Sequence, residues 1–157
     1  ASGVIAVDGA LKGFKALKQG YLKGLLPNDF ENRAISIDTD SSNFAIEPIK
    51  PFDKTFDFFG DGSLFFIPLE GHYRGHLGVL ANNHDNERYF LIADSCWLSK
   101  SFRENITPSS IASIIMDNPK VYKDTLHKIH KFHKNNLDVN ILPSHCSDVY
   151  KKYIEET

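Results

Sequence analysis

The sequence predicts a mixed α/β (α+β) fold, a sheet with helices packed on its outer face. Three observations predict it. Strand-like runs cluster in the middle of the chain, from Ala34 to Ala93. Segments with helical spacing lie at both ends, over Gly9 to Gly24 and Pro119 to Asn135. The 157 residues are 41% hydrophobic and 24% charged, which is enough apolar bulk for one domain with a real core. No internal repeat, low-complexity tract or linker divides residues 1–157, so they read as a single domain.

The elements follow in order. Asp8 is placed to cap the first helix, in which Leu11, Phe14, Leu17, Tyr21 and Leu25 recur at helical spacing. Gly24 and Pro27 end it. A polar loop leads to a short strand, Ala34 to Asp38, and Thr39 to Asn43 is a turn. Phe44 to Lys50 reads as an edge or irregular strand, because Pro48 cannot donate to a ladder. Gly60-Asp61-Gly62 is a turn; it lacks the Lys and Ser/Thr of a phosphate loop. Ser63 to Glu70 and Leu77 to Ala81 are strands, and Asn82 to Glu87 is a turn into the strand Arg88 to Ala93. Past Asp94 the pattern becomes helical, with a short helix over Pro108 to Met116. The longer one, Pro119 to Asn135, carries Val121, Tyr122, Leu126, Ile129 and Phe132 as its apolar stripe. Val139 to Leu142 is the last strand, and Ser147 to Glu155 the last helix, with Ser147 as its cap.

Composition excludes some roles. A formal net charge of −2 gives no basic field for nucleic acid and no pull toward anionic lipid. No apolar run approaches the roughly 18 residues that span a bilayer. Two cysteines, Cys96 and Cys146, make no disulfide framework, so a reducing compartment, the cytoplasm, is the expected location. The sequence opens on Ala1 and its one methionine is Met116. The expectation is a removed leader or a piece of a longer chain.

Three segments end a strand-like run with a potential metal ligand. They are Leu69-Glu70-Gly71-His72-Tyr73-Arg74-Gly75-His76, Phe90 to Asp94, and Ile141-Leu142-Pro143-Ser144-His145. Imidazole and carboxylate groups at the carboxyl ends of neighbouring strands converge on one point. Neutral imidazole suits zinc, iron, nickel or copper, and a carboxylate bridges two ions that hold a hydroxide between them.

Four motifs in register carry a family resemblance: Gly60-Asp61-Gly62-Ser63-Leu64, Gly71-His72-x-x-Gly75-His76, Leu91-Ile92-Ala93-Asp94 and Leu142-Pro143-Ser144-His145. From about Phe56 to Tyr150 the chain resembles the second half of the metallo-β-lactamase superfamily, the group of glyoxalase II and the N-acyl homoserine lactonases. The resemblance implies part of an αββα sandwich and a hydrolase whose metal-bound hydroxide attacks an ester, thioester, lactone or amide of a small-molecule substrate. It implies two divalent metals, of zinc type, with iron or manganese as alternatives. His72 would bind the first metal, Asp94 would bridge both as the catalytic carboxylate, and His145 would bind the second. His76 would support the site from behind the ligands. Gly71 and Gly75 would allow the tight backbone path between strands.

Two departures qualify this. The superfamily's His-x-His-x-Asp-His segment is absent, and no histidine precedes His72. The reading that follows is a C-terminal portion lacking that segment, an incomplete site on its own, and a chain that self-associates or pairs with the missing N-terminal segment. The alternative is a non-catalytic relative acting as a binding or interaction module. A redox di-iron protein of this fold usually carries a fused flavin domain, which nothing here suggests. Second, superfamily lactonases often place a tyrosine three residues past the bridging aspartate. Here Trp97 stands there, a substrate-pocket residue with an indole donor and no hydroxyl.

Other candidates have plainer readings. Cys96 and Cys146 follow proposed ligands closely, and small buried free thiols are the expectation. His127, His130 and His133 recur every three residues, a step that drifts around a helix, so a solvated face is expected rather than a metal clip. His84 sits in a polar turn.

Overall fold

The computed structural model describes residues 4–7, 27–37, 48–110 and 112–155. The strands are β1 (Val4–Val7), β2 (Ala34–Ile37), β3 (Phe56–Asp57), β4 (Leu64–Pro68), β5 (Leu77–Asn82), β6 (Arg88–Ala93) and β7 (Val139–Pro143). The helices are α1 (Phe30–Arg33), α2 (Ser99–Glu104), α3 (Pro119–Asn135) and α4 (Ser147–Tyr150). A 3₁₀ turn (Ala112–Ile115) precedes α3, and a π turn (Lys151–Glu155) continues α4.

β1 and β2 pair in parallel. The other five strands form a mixed sheet in the order β3-β4-β5-β6-β7. Its pairs are antiparallel except β6 with β7, which is parallel. Parallel neighbours need a crossover, and α2, the 3₁₀ turn and α3 supply it. Because β5 runs against both its neighbours, β4 and β6 point the same way, and β7 follows β6. The carboxyl ends of β4, β6 and β7 therefore share one end of the sheet.

Period-two alternation sorts the sheet into faces. Ile67, Leu80, Phe90, Ile92, Val139 and Ile141 join Leu126, Ile129 and Phe132 of α3 in one core. Phe52 closes it: its ring lies 5.6 Å from Phe90 and 5.6 Å from Phe132, which are 5.3 Å apart. Each such side chain contributes roughly 1.5–3 kcal/mol on burial. On the opposite face Phe66 pairs Val79, Val79 pairs Leu91, and Leu91 pairs Leu142. Leu91 is 46% exposed there, so this apolar row is open at its centre.

α3 has the expected bounds. Asn118 caps it, its side chain accepting from the Lys120 and Val121 amides at 3.2 Å, and Pro119 takes the first turn, where no amide is needed. The stripe differs at one place. Val121 is only half-buried and Thr125 is buried instead, because the Thr125 hydroxyl donates to Glu70 O at 2.7 Å.

Several expectations change. The polar loop after Pro27 contains α1. Pro48 to Lys50 form no strand; residues 44–47, the Thr39 to Asn43 turn and the Gly9 to Gly24 helix with Asp8 lie outside the described residues. The short helix expected over Pro108 to Met116 contracts to the single 3₁₀ turn. Past Asp94, α2 begins only at Ser99. Cys146, not Ser147, stands at the cap of α4, without a side-chain capping bond. The Gly60-Asp61-Gly62 turn is confirmed, its Gly60 and Gly62 amides donating to the Asp57 carboxylate at 2.9 and 2.8 Å.

The Leu69 and Phe90 side chains close over the backbone at Gly78. A Cβ there would meet Leu69 Cδ1 at 2.5 Å and Phe90 Cε2 at 2.9 Å. Gly78→Ala is expected to lower urea-unfolding stability by about 1–3 kcal/mol, the usual penalty of overpacking; an unchanged midpoint would show that the core gives way freely.

Candidate metal centre

The common end of β4, β6 and β7 brings together the three ligands expected from the sequence. His72 Nε2 lies 3.5 Å from Asp94 Oδ2, and His145 Nε2 lies 3.1 Å from Asp94 Oδ1. The two imidazoles thus face different oxygens of one carboxylate. Side-chain exposure is graded across the site: 23% for His72, 34% for Asp94 and 65% for His145.

Each of the three side chains is held by a different local device. The His72 loop is bound to the start of α3. Asn118 N–H donates to Gly71 O at 2.9 Å, and Asp117 N–H to His72 O at 3.1 Å. Gly71 has φ +124°, and a Cβ there would lie 2.3 Å from both Tyr122 Cα and Tyr122 N, so only glycine fits. Gly75, at φ +77°, turns the loop back to where Leu69 N–H donates to His76 O at 2.8 Å. Asp94 follows Ala93, a non-glycine residue at φ +44° beside a register shift between β6 and β7. Such a conformation costs about 1–3 kcal/mol and turns the next side chain out of the strand's alternation. His145 follows the end of β7 directly.

His76 lies beside His72, their ring centroids 6.1 Å apart. Its Nδ1 pairs with Ser95 Oγ at 3.3 Å, and that hydroxyl donates to Leu69 O at 3.3 Å. This ties the β4 loop to the Asp94 turn through Ser95, which is fully buried. Burial, chiefly, and the nearby His72 together push the His76 ring down to about 4, with Asp94 acting against both. Trp97 stands over the site, its indole edge-on to His72 at 6.3 Å.

The donor set fits a metal of zinc type in kind and direction. His72 Nδ1 is buried with no hydrogen-bond partner, an uncommon condition that costs about 1–3 kcal/mol. The set is short in number. Asp94 with either histidine gives an ion two donors, and among the described residues no group of three or more His, Cys, Asp or Glu side chains is placed to hold one ion. A zinc site needs three or four.

Sequence reasoning missed two residues. Ser95 and Ser144 both reach the site through hydroxyls, and serines in turns give no periodic or motif signal. Of the plainer candidates, Cys96 and Cys146 are buried free thiols as expected. The histidines of α3 are not simply solvated. His130 Nδ1 bonds Phe102 O at 2.8 Å, His127 Nδ1 bonds Asn105 Nδ2 at 3.3 Å, and His133 packs edge-on to Phe102 at 5.2 Å. They join α3 to α2. His84 is exposed beside Asp85. No described helix is long and apolar enough to cross a membrane.

Solved structures share this arrangement of chain. One is an N-acyl homoserine lactone hydrolase with the product N-hexanoyl-L-homoserine bound at its catalytic metal centre (TM-score 0.65, 12% identity, covering 96% of this chain and 50% of that one). Another is a variant of B. thuringiensis AiiA with N-decanoyl-L-homoserine at its active site (TM-score 0.65, 12% identity, 97% and 50%). A third is a quorum-quenching N-acyl homoserine lactone lactonase (TM-score 0.66, 12% identity, 96% and 52%). No family model and no curated protein matches the sequence. The chain therefore has the metallo-β-lactamase fold of these lactonases. It spans about half the length of each structure it matches.

The His76 environment sets a pH dependence. Its ring titrates near 6.5 when unfolded and about 4 when folded, so the unfolded chain takes up the proton first as pH falls. The stability tied to neutral His76 is complete above pH 6.5 and is lost by pH 4, about 3 kcal/mol in all. Urea titrations between pH 7 and 4 are expected to show this loss, and His76→Gln to flatten it. Equal slopes in the two proteins would contradict the assignment.

Proposed function

We propose that this chain is the C-terminal portion of a metal-dependent hydrolase and supplies the shared part of a two-metal site. The observation that carries the reading is the single Asp94 carboxylate faced by His72 on one oxygen and His145 on the other. The remaining donors come from polypeptide beyond these 157 residues, a reading supported by the half-length match to lactonases. The substrate is a small molecule with an ester, thioester, lactone or amide carbonyl, and the working location is the cytoplasm.

His72, Asp94 and His145 would hold two divalent ions of zinc type, which when bound supply a water of lowered pKa and a Lewis acid for the carbonyl oxygen. The residues of this chain do the rest. Asp94 fixes the spacing of the two histidine sides by offering one oxygen to each. His72 and Trp97 form the sheltered wall, where the indole excludes water from the imidazole and offers its N–H to a substrate oxygen. His145, the most exposed ligand, marks the side from which substrate enters.

Asp94→Asn keeps the size of the side chain and removes its charge. In the zinc-loaded protein it is expected to cut hydrolysis of a panel of lactones, thioesters and aryl esters by at least about 100-fold, beyond the 10–100-fold typical of a residue that only supports a ligand. Chelation is expected to abolish turnover and zinc to restore it. Turnover indifferent to chelator, or unchanged in Asp94→Asn, would sink the reading. A second reading, a non-catalytic binding module, is favoured by the absence of any three-donor group among the described residues. Ligand binding without zinc-dependent turnover would select it.

A further inference from the structure

Asp94 has a third side-chain partner besides the two histidines. Ser144 Oγ donates to Asp94 Oδ1 at 2.5 Å, the same oxygen that His145 Nε2 approaches at 3.1 Å. Ser144 is brought there by the irregular end of the β6–β7 ladder. Ala93 is level with Pro143 past the register shift, and Ser144 N–H reaches Ala93 O at 3.5 Å. One serine thus grips the Asp94 turn twice, by its backbone and by its hydroxyl.

A carboxylate has two equivalent oxygens, and rotation about its terminal bond is soft. His72, 3.5 Å away, and the largely exposed His145 are weak guides to that rotation. A short hydroxyl–carboxylate bond is a strong one. We infer that Ser144 is a positioning residue: its hydroxyl anchors Oδ1 on the His145 side and so leaves Oδ2 for His72. In the hydrolase reading, on which the functional part of this inference rests, that division of oxygens gives each ion its share of the bridge.

The test compares Ser144→Ala and Ser144→Thr with the unmodified protein, each in the longer natural polypeptide that carries the remaining donors. The imidazole signals of His72 and His145 are recorded by ¹H–¹⁵N correlation NMR without metal, and zinc affinity is then titrated. Ser144→Ala is expected to move both sets of ring signals and weaken zinc binding about tenfold, with the melting temperature held. Ser144→Thr, which keeps the hydroxyl, is expected to restore both. A general packing role would not give that rescue. Unmoved ring signals in Ser144→Ala overturn the inference even where zinc binds, and the hydrolase reading then stands. Ring signals that depend on Ser144, in a protein that takes up no zinc, uphold the positioning role and remove the hydrolase reading.

Discussion

Two imidazoles meet one carboxylate because β4, β6 and β7 run in the same direction. Their carboxyl ends lie together only while β5 runs between β4 and β6 as an antiparallel spacer and α3 carries the chain across from β6 to β7. The site is therefore a product of topology. No two of His72, Asp94 and His145 are near in sequence, and each leaves its strand by a separate turn. The helix that makes the crossover also does local work: the amides of Asp117 and Asn118, just ahead of its first turn, donate to the backbone of the His72 loop, and its Thr125 hydroxyl donates to Glu70 O. The core beneath and the His72 loop above thus rest on the same helix.

The fold tolerates several unfavourable groups around this point. Ala93 adopts a backbone conformation that favours glycine, His72 buries an unpaired ring nitrogen, and His76 is held in a place that resists its protonation. The first two cost about 1–3 kcal/mol each; the third costs stability only below pH 6.5, where the unfolded chain takes up the proton. Together the first two amount to a sizeable part of the roughly 5–15 kcal/mol by which a domain is stable. All three lie together in space, at the one end of the sheet where His72, Asp94 and His145 meet. Elsewhere the described core is mainly apolar, and its buried Thr125 hydroxyl is bonded to Glu70 O. This contrast between a relaxed core and a strained end is the pattern of a site whose geometry serves binding more than folding.

Much of this was legible in the sequence, and the parts that were not share a cause. β5, β6 and α3 repeat their burial pattern over six or more residues, so periodicity and Pro119 located them. His72, Asp94 and His145 ended such runs and matched a known order of motifs. The two-residue strand β3 is too short to have a period, and the four-residue helix α1 barely completes one turn. Ser95 and Ser144 act through single hydroxyls whose partners lie 26 and 50 residues away in sequence, and no local pattern encodes such a contact. For the α3 histidines, a step of three drifts around a helix and so reads as a solvated face. The drift instead spreads them along the α2 contact, where the partner, not the spacing, decides their role.

The central claim is that these residues are half of a ligand set completed by further polypeptide. Intact mass and metal content, measured on one purified sample of the natural protein, test it most directly. The account predicts a mass well above 17.7 kDa with about two zinc or iron ions per chain. A mass equal to that of these 157 residues together with two tightly held ions would contradict the incomplete ligand set. A longer chain with metal far below one ion would contradict the hydrolase itself.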